Sequence, residues 1–175
     1  MKLAEKTDCG RVSWITGLSG AGKTTLARAL IKKIPEAILL DGDDLREVLG
    51  ATSTGFDAES RKRLALIYSR FAGLLAKQGK TVIVATISLF HEVHKLNHEN
   101  LPRYLEVFLD VPEDIRRLRD PKGLYAGEKS GKVTRMAGSE LKVDFPRRPD
   151  LVLSGEYKVD EAVWKILKIC KYLFK

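Results

Sequence analysis

The 175 residues, 44% hydrophobic and 31% charged, suit one soluble globular domain with a substantial core and exclude a low-complexity chain. A formal net charge of +8 admits nucleic acid or small polyanions as partners; the basic residues are spread out, with only short clusters such as Arg61-Lys62-Arg63 and Arg116-Arg117, and no nucleic-acid module is recognisable, so small polyanions are expected. No apolar run reaches bilayer-spanning length, the first ten residues carry no signal-like stretch, and Cys9 and Cys170 are the only cysteines, so a cytoplasmic protein without membrane contact or a disulfide framework is expected.

In chain order, Val12-Ser13-Trp14-Ile15-Thr16 reads as a short buried strand. Thr24 to Ile31 reads as a helix, with apolar residues at 26, 27, 30 and 31. Between them, Gly17-Leu18-Ser19-Gly20-Ala21-Gly22-Lys23-Thr24 fits G-x-x-x-x-G-K-[ST] at every fixed position. A glycine-rich turn between a strand and a helix N-terminus presents backbone N–H groups and a helix dipole to an anion. The expected cofactors are therefore ATP and Mg²⁺. The nucleotide should be held by Gly17, Ser19, Gly20, Ala21, Gly22, Lys23, Thr24 and Thr25, with Lys23 at the β- and γ-phosphates and the Thr24 hydroxyl on the metal.

Ala37-Ile38-Leu39-Leu40 reads as a second strand running into Asp41-Gly42-Asp43-Asp44, with a short helix over Leu45 to Leu49. Asp57 suits the cap of a long helix reaching about Gln78, with Leu64, Ile67, Phe71, Leu74 and Leu75 as its core stripe and Gly79 at its end. Thr81 to Ala85 is a third strand, Phe90 to Asn100 a helix, Tyr104 to Leu109 a fourth strand, and Glu113 to Arg119 a helix with Pro112 at its first turn. Lys122 to Arg148 is polar, glycine-rich and without period, and a connection that long reads as a lid. Leu151 to Leu153 is a fifth strand, and Val159, Ala162, Val163, Ile166, Leu167, Cys170 and Leu173 line a final helix. The fold class is α/β: a P-loop NTPase fold with a five-stranded, mostly parallel sheet and helices on both faces. In such a sheet Thr16-Gly17, Asp41-Gly42-Asp43, Thr86-Ile87-Ser88 and Asp110 all follow strands and should share one cleft.

Asp41 and Asp43 follow a strand beside the phosphate loop, where a carboxylate can help hold Mg²⁺ or take a proton from an attacking hydroxyl. Asp43 is expected to do chemistry, and Asp44 to cap the following helix. His91, His94 and His98 share a helical face, but His91-Glu92-Val93-His94 is one residue short of H-E-x-x-H. Anion contact or surface packing is expected of these histidines rather than zinc.

Beyond the phosphate loop, Leu40-Asp41-Gly42-Asp43-Asp44-Leu45-Arg46 resembles the D-G-D-N-x-R segment of adenylylsulfate kinases. Ala85-Thr86-Ile87-Ser88 resembles their A-S-I-S-P, Arg119-Asp120-Pro121-Lys122-Gly123-Leu124-Tyr125 their R-D-x-K-G-L-Y, and Pro149-Asp150-Leu151-Val152-Leu153 their P-D/E-L-V-L. The resemblance implies transfer of the ATP γ-phosphate to the 3′-hydroxyl of adenylylsulfate in a homodimer. It implies that Asp43 lies beside the acceptor hydroxyl, that Arg46 and Arg61 hold the acceptor's anionic part, and that Lys122 begins a mobile lid. Ser88 matches a serine that some members are reported to phosphorylate, and is placed with Asp43 and Lys23 in the catalytic set. Asp41, Phe56, Ile87, Ser88, Lys122 and Met136 complete the expected acceptor site.

Departures gather on the acceptor side. Leu64 and Leu66 replace an asparagine and an arginine, Leu89 a proline, Met136 a stacking aromatic, and His91, His94 and His98 arginines. Around Thr86-Ile87-Ser88-Leu89-Phe90-His91-Glu92 the chain resembles a divergent branch that includes cytidine diphosphoramidate kinase, so a cytidine nucleotide is the alternative acceptor. A nucleic-acid-binding ATPase is the alternative of another class. It requires a basic stripe on one face.

Overall fold

A computed structural model describes residues 10–50, 57–120, 123–130, 137–138 and 141–173. Five strands form one parallel sheet in the order β2-β3-β1-β4-β5, with β1 spanning Arg11–Gly17, β2 Ile38–Asp41, β3 Thr81–Ala85, β4 Tyr104–Asp110 and β5 Leu151–Ser154. The helices are α1 (Lys23–Lys33), α2 (Gly42–Val48), α3 (Ala58–Lys77), α4 (His91–Asn100), α5 (Glu113–Arg119), α6 (Leu124–Lys129) and α7 (Val159–Leu173).

Both faces of the sheet are covered, and the strand period of two divides the core. Ile15, Ile83, Leu105, Val107 and Leu109 pack with Leu26 and Leu30 of α1 and Ala162 and Ile166 of α7. Val12, Trp14, Val82 and Val84 point the other way, onto Leu64, Ala65, Tyr68, Ala72 and Ala76 of α3 and Val93 of α4. Glu106 and Phe108 alternate with the first set on β4, so Glu106 brings a carboxylate into the interior, where it is buried.

Several expectations change. Helix α2 begins at Gly42, not Leu45, because the Asp41 side chain accepts the Asp43 N–H at 3.0 Å and caps it at once. The cap expected of Asp44 thus belongs to Asp41. The stripe of α3 holds in part: Leu64 is buried and Ile67 and Leu75 pack against the core, but Phe71 and Leu74 are 43% and 55% exposed, and Ala65, Tyr68, Ser69, Ala72, Gly73 and Ala76 are buried instead. Small residues let the helix lie close to the sheet and its neighbours, and a Cβ on Gly73 would come within 3.1 Å of Leu101. The aperiodic stretch after Lys122 holds a helix, α6, started by Gly123 in the left-handed region at φ 63°.

Candidate active site at the carboxyl ends of the strands

The turn after β1 closes with the Ala21 N–H on the Leu18 carbonyl at 3.2 Å and leads straight into α1. Gly20 and Gly22 adopt φ of 76° and 97°. A side chain at either would strike the Arg116 carbonyl or the Tyr157 hydroxyl, so both glycines are required by close approach as well as by conformation. Lys23 Nζ donates to the Leu18 carbonyl at 2.9 Å. Thr24 Oγ1 donates to Asp41 Oδ2 at 2.6 Å, so one carboxylate caps α2 and meets the hydroxyl of α1.

These groups open on a cleft of about 1090 Å³. Ser19, Gly20, Gly22, Lys23, Thr24 and Thr25 line it together with Asp41, Asp43, Arg46, Arg61, Ile87 and Ser88. Gly17 and Ala21 shape the loop from below: Ala21 is fully buried and Gly17 packs on Leu109. Thr16 and Asp110 were expected in the cleft with Gly17, but none of the three lines it. Thr16 is turned into the core and donates to the Ile87 carbonyl, which pins the end of the Thr86–Ser88 segment to β1. Phe56, Lys122 and Met136 lie outside the described residues.

Arg61, Leu64 and Tyr68 sit at i, i+3 and i+7 on α3 and face the cleft together. Burial holds the Arg61 guanidinium below its ordinary pKa, and the like charge of Arg46 adds to this against the pull of Asp57. The two guanidiniums thus line the same cleft and feel each other's charge. Tyr68 donates to the Gly42 carbonyl at 3.3 Å, and its phenol is raised chiefly by burial, with Asp43 adding to the rise and Arg46 opposing it. Ser88 is a buried non-glycine residue at φ 34°, its hydroxyl 2.9 Å from that of Thr86. Such backbone strain persists where the surroundings hold it.

Tyr125 of α6 donates to the Ser19 carbonyl at 3.0 Å and receives a hydrogen bond from buried Arg116, whose Nε donates to the Val111 carbonyl at 2.9 Å. The helix after the expected lid hinge is thus seated on the phosphate loop. Beyond the loop, Gly22, Thr25, Arg119, Tyr157 and Val159 line a smaller pocket of about 180 Å³. Tyr157 donates to the Ala21 carbonyl at 3.1 Å, and burial pushes its phenol up to about 12 against the opposing charge of Arg119. The sequence reading missed Tyr68, Tyr125 and Tyr157. Tyr68 had a signal in its seven-residue spacing from Arg61; Tyr157, far along the chain from the loop, had none.

Of the three histidines, His91 and His98 are partly exposed and His94 is buried. His94 is buried with its Nδ1 2.7 Å from Glu106 Oε1, and half-exposed His98 stands 3.3 Å from Glu106 Oε2. A carboxylate on the core-facing side of β4 drew His94 inward, a pairing the helical spacing does not reveal. Among the described residues no cluster of three or more His, Cys, Asp or Glu side chains could hold a metal ion, and no helix is long and apolar enough to cross a membrane.

A parallel sheet whose β1 runs through a G-x-x-x-x-G-K-T turn into a helix, with carboxylates and arginines across the cleft, defines a P-loop phosphotransferase with a hydroxyl acceptor. Residues 9–154 match the family model described as adenylylsulphate kinase, and the chain belongs to that family. A cytidine diphosphoramidate kinase of Campylobacter jejuni is 36% identical over 163 residues, covering 90% of this chain and 94% of that protein. An adenylyl-sulfate kinase of Deinococcus deserti is 41% identical over 157 residues, covering 85% and 84%. The Mycobacterium tuberculosis APS kinase, solved in complex with AMPPNP and APS, is similar with a TM-score of 0.86 and 34% identity, covering 93% of this chain and 98% of that one.

Proposed function

We propose that the chain transfers the γ-phosphoryl group of ATP to the 3′-hydroxyl of a small anionic nucleotide, with adenylylsulfate as the acceptor. The observation that carries this reading is one cleft lined by the phosphate loop together with Asp43, Arg46 and Arg61. Lys23 neutralises charge developing on the transferred phosphoryl group. Asp43 orients the acceptor hydroxyl and takes its proton, and Arg46 and Arg61 hold the anionic 5′ group. The Thr25–Arg119–Tyr157 pocket receives the base of ATP. Thr24 and Asp41 fit Mg²⁺, which keeps most of its waters and takes few protein oxygens; a hydroxyl 2.6 Å from a carboxylate matches that donor set. When bound, the metal supplies charge neutralisation across the β- and γ-phosphates.

Cytidine diphosphoramidate is a second reading for the acceptor. It is favoured by the buried Leu64 and Leu89 in the cleft wall, where the family resemblance leads one to expect asparagine and proline, and by similarity to the Campylobacter relative over nearly its whole length. A coupled ATP-consumption assay over adenylylsulfate, cytidine diphosphoramidate and simple nucleotides tests both. Turnover of adenylylsulfate at least tenfold above the rest supports the first reading, and the reverse order replaces it with the second. The family resemblance also supports a homodimer, which light scattering of the purified chain checks.

A further inference from the structure

His94 sits where α4, β4 and the 141–146 segment meet. Its Nδ1 is 2.7 Å from Glu106 Oε1, and its Nε2 is 3.3 Å from the Asp144 backbone carbonyl. A carbonyl oxygen only accepts. Burial would raise the Glu106 carboxyl, but the hydrogen bond and charge of His94, with hydrogen bonds from Tyr104 and His98, hold it below its ordinary value, so it too accepts. A ring with an acceptor at each nitrogen satisfies both only when doubly protonated.

The Asp144 side of this contact is a junction. The Asp144 N–H donates to the Leu89 carbonyl at 3.0 Å. Its Oδ2 accepts the His91 N–H at 3.2 Å, at the first residue of a helix whose own Phe90 supplies no side-chain cap. Leu141, Lys142 and Val143, just before it, line the cleft together with Ser88, Leu89 and Phe90. Asp144 therefore ties one wall of the cleft to the strained segment that carries Ser88.

We propose that His94 is a positioning residue: as an imidazolium bridging Glu106 and the Asp144 carbonyl, it staples the 141–146 segment over the cleft. Loss of one ring proton to solvent leaves a nitrogen lone pair facing either the carbonyl or the carboxylate, and the bridge opens. The other titratable groups around the ring are Glu106 and Tyr104 on β4, the Asp144 carboxylate, and His91 and His98 on α4 itself. Asp150 lies behind Glu106, whose N–H donates to it at 2.7 Å. On the α3 side, Lys62 pairs with Glu92 at 3.2 Å.

The inference rests on the kinase reading for its kinetic consequence, but not for the staple itself. Amide exchange of 141–145 in the nucleotide-free chain should show protection in wild type. His94→Gln, which cannot donate to two acceptors, should exchange about tenfold faster. His94→Arg, which can donate to both, should keep the protection. In steady-state assays with adenylylsulfate, or with cytidine diphosphoramidate if wild type prefers it, His94→Gln should raise the acceptor KM about tenfold, with the ATP KM within about twofold. Exchange in His94→Gln that matches wild type, protection lost in His94→Arg, or equal rises in both KM values would overturn the proposal. If wild type turns over neither acceptor, the kinase reading fails and the exchange arm alone decides the staple.

Discussion

Lys23 and Asp43 face one cleft from different elements and should fail in different ways. Lys23→Ala removes the ammonium proposed to meet transition-state charge, so kcat should fall by roughly 10²-fold or more. The side chain is partly exposed and lies on the loop rather than in the core, so the variant should keep a cooperative melt near the wild-type Tm. Retained turnover, or loss of the melt, would contradict the proposed role. Asp43→Asn keeps the size of the side chain and the N–H bonded to Asp41, but removes the proposed proton acceptor. Its kcat should drop by about 10²-fold with the ATP KM nearly unchanged. Asp44→Asn should be mild, because the cap that starts α2 is the Asp41 carboxylate. Equal losses at 43 and 44 would leave Asp43 with no special place.

Among the elements, α6 was hidden in a stretch that composition alone renders as loop. Glycines and lysines obscure its period, and it holds its place through the Tyr125 hydroxyl rather than through an apolar stripe. Tyr125→Phe deletes that hydrogen bond and leaves buried Arg116 one acceptor short. Removing one hydrogen bond of this kind costs about 1–2 kcal/mol, so the ATP KM should rise roughly 5- to 20-fold while the acceptor KM moves less. Matched rises in both constants would show that α6 does not act through the phosphate loop. The long helix α3 teaches the opposite lesson. Its existence, its Asp57 cap and its end were legible, but the face it buries only in part. Size and apolarity favoured Phe71 and Leu74, whereas close packing on the sheet selected alanines and Gly73.

For the whole molecule, Glu106 links stability to pH. Its folded-state pKa is below the ordinary 4.5, so it contributes stability that is present above that value and lost as pH falls through the folded value. Acid unfolding should therefore steepen below about pH 4.5 in wild type and flatten in Glu106→Gln, read from Tm against pH. That substitution also breaks the buried contact of Glu106 with His94 and should cost about 3 kcal/mol, near the low end for breaking a buried pair. An unchanged acid limb would remove Glu106 from this role.

The strands, the phosphate loop and the parallel sheet follow from local pattern: β-branched runs of strand length, a glycine-rich turn with fixed spacing, and crossover helices that force a parallel sheet. Those signals lie within a few residues of one another, so the sequence by itself determined the class of fold, while the order of the strands came from the tertiary structure. Three further features were decided only by tertiary packing. These are the tyrosines that seat distant elements on the phosphate loop, the full buried face of α3, and the conversion of His94 from an apparent surface residue into a buried partner of Glu106. Each depends on which side chain from a distant element arrives opposite, and hydrophobic period carries no record of that.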